Sequence, residues 1–337
     1  MPRAKERAMK RGLHNIFRTF VAGVFLGAVC ASARADVFVA DHGGGNIYRY
    51  DDSGHFLGKH LTGFRPVAMA FGSDGGLYAA KYKAGYVSRL DPVTGAVTTF
   101  TSGGFLSAPH PSQITFGGPG QDLYVADQVH PGAVVRFDGT TGAFEQRITT
   151  PAAEGISGVA VDSGGTVYAG APYGVIYKYS SGVLTTFATA ATSEHLYGLQ
   201  IGADGNLYVG TGGSRVLRYK PDGTPFGLGG STTDATLILD SRLDNAYSLN
   251  FGPDGKLYVL SYFGAEVLRY GADGTFMDVF IKNTPGLINP VALDFGTFAP
   301  PPVPVPEPTT WMLFALGLAV FGFNLRRRGL ALPQGPR

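Results

Sequence analysis

The chain has one cysteine, Cys30, and one tryptophan, Trp311, in 337 residues. Both lie outside its long middle, which therefore has no thiol to form a disulfide or act as a nucleophile. The middle also shows no stretch with a helical period and no apolar run long enough to span a bilayer. A basic surface is missing too. The formal charge of +2 comes from the two ends, where seven basic residues precede Asp36 and four (Arg326, Arg327, Arg328 and Arg337) follow Phe323. Between Asp36 and Pro306 stand 16 Lys and Arg against 23 Asp and Glu, a net of −7. That balance argues against a nucleic-acid partner.

The ends are rich in what the middle lacks. Arg3, Lys5, Arg7, Lys10, Arg11 and Arg18 form a basic region, followed by an apolar stretch from Phe20 to Cys30 and the small-x-small sequence Ala33-Arg34-Ala35. This predicts a signal peptide over residues 1–35, with the mature chain starting at Asp36. Val29, next to Cys30, is too bulky for a lipoprotein site, so Cys30 leaves with the signal peptide. At the other end, residues 299–306 read Ala-Pro-Pro-Pro-Val-Pro-Val-Pro, a stiff extended spacer. A short apolar run from Trp311 to Phe323 then predicts a transmembrane segment over 311–325, with Arg326, Arg327 and Arg328 on its cytoplasmic side.

Pro306-Glu307-Pro308, one short span and a terminal arginine cluster, in that order, resemble the PEP-CTERM sorting signal of Gram-negative bacteria. The resemblance implies a sorting tail over 307–337 and, as partner, an exosortase-type enzyme that removes it. The chain would be held transiently in the inner membrane by its C-terminal helix. Its destination would be the cell surface or the extracellular matrix, in a setting rich in secreted polysaccharide.

Residues 36–298 are built on a repeat. Val37-Phe38-Val39, Leu77-Tyr78-Ala79, Leu123-Tyr124-Val125, Val167-Tyr168-Ala169, Leu207-Tyr208-Val209 and Leu257-Tyr258-Val259 place their aromatic residues 40, 46, 44, 40 and 50 positions apart. Each is followed by a second short strand with a cation near its end: Arg49, Arg89, Arg136, Lys178, Arg218 and Arg269. Asp-Gly pairs at 74–75, 204–205 and 254–255 supply tight turns before three of the aromatic strands. Four short strands in about 44 residues is the period of a β-propeller blade. The first copy starts at its second strand, and Pro290-Val291-Ala292-Leu293-Asp294-Phe295-Gly296 matches Pro66-Val67-Ala68-Met69-Ala70-Phe71-Gly72 in character. The expected fold is therefore an all-β six-bladed propeller closed by N- and C-terminal strands. Its Leu-Tyr-Val and Arg-Tyr-Asp pattern resembles the NHL-type propellers and the gluconolactonase-like and virginiamycin-B-lyase-like propellers, a likeness of fold that does not choose a function.

In such a ring, loops entering the innermost strands share a face with loops joining second to third strands, and converge on the axis. Arg65, His110, His195, Asn245 and Asn289 stand just before predicted inner strands, and Tyr82, Tyr173 and Tyr262 stand in the other loops. These eight are the candidate ligand-binding residues, for a glycan, protein or small ligand. His42 and His130 map to the same face. Asp41-His42-Gly43-Gly44-Gly45 is glycine-rich but lies between strands, without the helix of a phosphate loop. Non-catalytic binding without a cofactor is the reading. The alternative is a lactonase- or lyase-type enzyme using His110 or His195 as base. The gluconolactonase likeness adds, as a further alternative, calcium or another divalent cation on Glu194, Asp244, Asn245 and Asn289. Arg65 and Gly155 occupy two of the six central places and break that family's pattern.

Overall fold

The computed structural model describes residues 34–101, 103, 110–152, 155–191 and 194–298. The signal peptide, the spacer, the sorting tail and the transmembrane segment over 311–325 lie outside the described residues, apart from Arg34 and Ala35 at the signal-peptide boundary. Residues 34–298 form one compact unit.

Its strands group into six antiparallel four-stranded sheets. The first sheet contains β1 (Arg34–Asp41), β2 (Asn46–Tyr50) and β3 (Phe56–Leu61). The second runs β4 (Pro66–Phe71), β5 (Leu77–Lys81), β6 (Val87–Leu90), β7 (Val97–Thr99). The third has β8 (Pro111–Gly117), β9 (Asp122–Asp127), β10 (Ala133–Phe137) and β11 (Phe144–Thr149). In the fourth are β12 (Gly158–Val161), β13 (Val167–Gly170), β14 (Val175–Ser180) and β15 (Val183–Thr189). The fifth comprises β16 (Leu196–Ile201), β17 (Leu207–Thr211), β18 (Arg215–Tyr219) and β19 (Thr236–Leu239). The sixth holds β20 (Ala246–Phe251), β21 (Leu257–Ser261), β22 (Glu266–Tyr270) and β23 (Phe276–Ile281), and β24 (Pro290–Phe298) ends the described chain. β24 pairs with β1, so the first sheet reads β24-β1-β2-β3. The innermost strands touch in sequence around a ring: β24, β4, β8, β12, β16, β20 and back to β24. This is a six-bladed propeller. Pairing between β1 and β24 starts at Arg34, two residues before the expected first residue of the mature chain, and runs on from Asp36 opposite Gly296.

Cross-strand register explains the repeat. Phe38, Tyr78, Tyr124, Tyr168, Tyr208 and Tyr258 stand directly opposite Arg49, Arg89, Arg136, Lys178, Arg218 and Arg269. Each cation lies 5.8 to 6.0 Å from the ring centroid, within cation–π range. The same rings join neighbouring blades. Phe38 meets Phe71, Tyr78 meets Phe116, Tyr208 meets Phe251 and Tyr258 meets Phe295, edge-on, at 4.8 to 5.1 Å. The aromatic repeat is thus spent on packing, and the Asp-Gly turns serve the same frame: Gly75, Gly205 and Gly255 all adopt positive φ.

Around the axis, two polar side chains cross-link the ring in halves. Gln113, on the third blade, accepts from the backbone N–H groups of Val159 (2.9 Å) and Leu199 (3.0 Å), and its Nε2 donates to the Leu199 carbonyl (2.9 Å). It therefore joins the third, fourth and fifth blades. Asp294, on β24, accepts from Phe71 N and from Asn250 Nδ2, both at 2.7 Å, joining the second, first and sixth. Enclosure by those blades pushes the Asp294 carboxyl up to about 6, although donated hydrogen bonds pull the other way.

Candidate functional site

A single backbone hydrogen bond repeats at the mouth of the ring. In five blades the residue just before the inner strand accepts from a backbone N–H in the loop after the second strand. The pairs are Tyr82 to Arg65 (3.1 Å), Gln128 to His110 (2.9 Å), Gly212 to His195 (2.8 Å), Tyr262 to Asn245 (3.0 Å) and His42 to Asn289 (2.9 Å). The two sets of loops thus meet on one face, and Arg65, His110, His195, Asn245 and Asn289 occupy equivalent places there. The fourth blade departs: Ser157 N donates to Gly170 O instead.

Side chains at the ends of the second strands are mostly occupied in holding these loops. Asp41 is fully buried and accepts from the N–H groups of Asn289 (2.8 Å), Gly43 (3.2 Å) and Gly44 (2.9 Å). The glycine-rich turn after Asp41 therefore points its N–H groups at the chain's own carboxylate. Asp127 does the same for His110 N (3.1 Å) and pairs with Arg147 at 3.2 Å. Ser261 accepts from Asp244 N at 2.9 Å.

Aromatic rings line this face in two arcs. One runs from Tyr173 through His195, Tyr197, Tyr247 and Tyr262 to Phe263, with successive centroids 4.6 to 5.9 Å apart. Tyr173 and Phe263 end it, and they are 55% and 67% exposed. The other arc is His42, Tyr82 and His110, at 5.1 and 5.6 Å. Tyr173 holds φ +61°, a costly conformation for a tyrosine.

Tyr197 and Tyr247 were not among the residues expected from sequence. Each is the second residue of an inner strand, where the pairing slips: between Leu196 and Leu199, and between Ala246 and Ser248. A bulge re-aims a side chain that plain alternation would send elsewhere. Both rings line an axial cavity of about 50 Å³, together with Gln113, Asn250 and Asp294. That volume holds a few water molecules at most. Burial raises the pKa of the Tyr247 phenol, and that of Tyr197 as well, where the neighbouring Asn245 side chain partly offsets it.

Asn245 is 9% exposed and holds φ +65°. Among the described residues its Oδ1 has no hydrogen-bond partner. Of the oxygens considered for a cation, Glu194 lies 3.4 Å from the Arg215 guanidinium, and Asp244 is exposed. Among the described residues, a group of three carboxylates within 4.8 Å stands elsewhere, at Asp122, Asp138 and Glu145, where Arg136 pairs with Asp122 and Glu145. Among the described residues, neither His110 nor His195 has a side-chain hydrogen bond to a carboxylate that would fix its tautomer.

Residues 304–328 match the PEP-CTERM protein-sorting motif. The motif implies export, passage to the membrane and processing by an exosortase-type enzyme. Comparison with curated proteins finds no match. Among solved structures, the chain is similar to one in a nidogen/laminin complex, with TM-score 0.60 and 16% identity over 78% of this chain and 98% of that one. It is also similar to virginiamycin B lyase from Staphylococcus aureus, with TM-score 0.56 and 15% identity over 78% and 88%. A Bacteroides caccae protein of unknown function matches with TM-score 0.59 and 11% identity over 79% and 99%. At these identities the likeness is one of fold. It supports NHL-like and lyase-like propellers as structural neighbours.

Proposed function

We propose that the chain is an exported propeller that binds an extracellular glycan on its loop face, without turning it over. The observation that carries this is the aromatic arc from Tyr173 to Phe263, exposed at both ends. Flat rings match the apolar faces of sugars. Tyr82, Tyr173, Tyr262, His110, His195, Arg65, Asn245 and Asn289 form the binding face in this reading. The sorting motif at 304–328 supports it by implying export and passage to the membrane; in this reading the segment at 311–325 anchors the chain transiently before it reaches the surface or matrix.

A lactonase or lyase would use His110 or His195 as base. Both rings instead pack against tyrosines, His110 on Tyr82 and His195 between Tyr173 and Tyr197. Titration of the mature chain with the secreted polysaccharide of its producing bacterium separates the readings. Tyr173→Ala and Phe263→Ala should each weaken binding by about 1 kcal/mol or more, with the melting temperature unchanged. Unchanged affinity in both variants, or release of shortened or unsaturated products by the wild type, would overturn the proposal.

A further inference from the structure

One corner of the loop face carries cations that make no ion pair among the described residues, although the domain as a whole is acidic. Arg49, Arg89, Arg136, Arg147, Arg215, Arg242 and Arg269 each pair with a carboxylate. Arg218 is buried and donates to the carbonyls of Phe226 and Gly227. Arg65 is exposed and, among the described residues, has no such partner. Two more cations stand beside it. Lys81 pairs in register with Pro66, and its Nζ donates to the Tyr86 hydroxyl at 3.0 Å. Lys83 is exposed, with its Nζ 5.3 Å from the centre of the Tyr82 ring.

The loops hold these groups together. Tyr82 N donates to Arg65 O at 3.1 Å, which keeps the Arg65 and Lys83 stems on adjoining segments. Tyr82 is wedged between His42 and His110, and His42 Nδ1 lies 3.3 Å from Pro66 O. The carboxylate of this corner, Asp41, is buried, and both of its oxygens are taken by backbone N–H groups. Guanidinium and ammonium groups on adjoining segments recognise carboxylates, and the planar arginine fork suits them best.

We infer that Arg65 and Lys83 bind the carboxylates of an acidic glycan, a chain containing uronic acid units, whose other residues lie across the aromatic arcs. The inference rests on the proposed glycan-binding face and names its substrate class. A sugar acid fits better than an acidic peptide because Lys83 lies against Tyr82, within the arc of His42, Tyr82 and His110, rather than along an exposed strand edge.

The test compares oligogalacturonate with its methyl ester, which keeps the sugar chain and removes the charge, and with polyglutamate, which keeps the charge and removes the sugar. Wild type should bind the acid about tenfold more tightly than either, the worth of one charge-assisted hydrogen bond. Arg65→Gln with Lys83→Gln should abolish that advantage, so that the acid and its methyl ester bind alike. Lys59→Gln with Lys220→Gln, away from the corner, should change neither. Equal affinity for acid and ester, equal affinity for polyglutamate, no binding of the acid, or the same loss in the Lys59 and Lys220 control would each overturn the inference. None of these bears on whether Tyr173→Ala and Phe263→Ala weaken binding of the native polysaccharide, which decides the underlying reading separately.

Discussion

Asn250 donates through Nδ2 to Oδ1 of Asp294, 2.7 Å away across the joint between the last blade and the blade shared by both ends of the described chain. The same carboxylate accepts from Phe71 N on the second blade, 223 positions away in sequence. Gln113 does the equivalent for the third, fourth and fifth blades. The inner ring is therefore stitched by polar groups as well as packed by apolar ones, and each stitch has a measurable consequence.

Asp294 makes stability depend on pH in a stated direction. Its folded pKa, about 6, lies above the 3.8 of a free aspartate, so the folded state binds the proton more tightly. The resulting stabilisation is complete below about pH 4 and is lost as pH rises through about 6. It amounts to something on the order of 3 kcal/mol for this one group. Urea unfolding of wild type and Asp294→Asn from pH 4.5 to 7.5 should show the variant gaining relative stability as pH rises. A difference independent of pH would rule out this titration.

Replacing Gln113 with Leu removes three hydrogen bonds and leaves Val159 N, Leu199 N and Leu199 O without their partner. We expect a loss of about 2–4 kcal/mol, since orphaned buried groups cost more than the bonds themselves return. The denaturant midpoint measures it, and a loss below about 1 kcal/mol would show that water replaces the amide.

A chain ending at Thr284 lacks β24 and leaves the edge of β1 from Val37 to Ala40 unpaired, next to a gap between β20 and β4. Such edges recruit other strands. The shortened protein should melt at markedly lower temperature or aggregate, as scanning calorimetry and light scattering would show. Stability equal to that of the full ring would mean β24 is dispensable.

Much of this was legible in the sequence for a physical reason. The six aromatic residues and six cations sit in fixed cross-strand register, so one contact is written six times, from Phe38 opposite Arg49 to Tyr258 opposite Arg269. The places before the inner strands were legible because Pro66, Pro111 and Pro290 mark the strand starts. Tyr197 and Tyr247 were not, because a bulge decides where they point and alternation alone gives no sign of it. The roles of Gln113 and Asp294 depend on partners from other blades, and no local pattern announces such pairs. Asp41 and Asp127 look like free loop carboxylates in the sequence, yet the fold buries both against backbone N–H groups.

Export should leave a recognisable mass. The mature surface species is expected to start at Asp36 and to lack Arg326, Arg327 and Arg328, since the sorting motif covers 304–328. Intact mass spectrometry of protein recovered from the cell surface or medium reads both ends at once. A species retaining the three arginines would show that the tail is not processed.

The central claim is that sugar lies on the arc from Tyr173 to Phe263, and a crystal structure of the mature chain soaked with fragments of the native polysaccharide tests it most directly. The expected result is density over Tyr173 and Phe263, with the glycosidic bonds intact. Density confined to the outer strands, or a cleaved product beside His110 or His195, would contradict it.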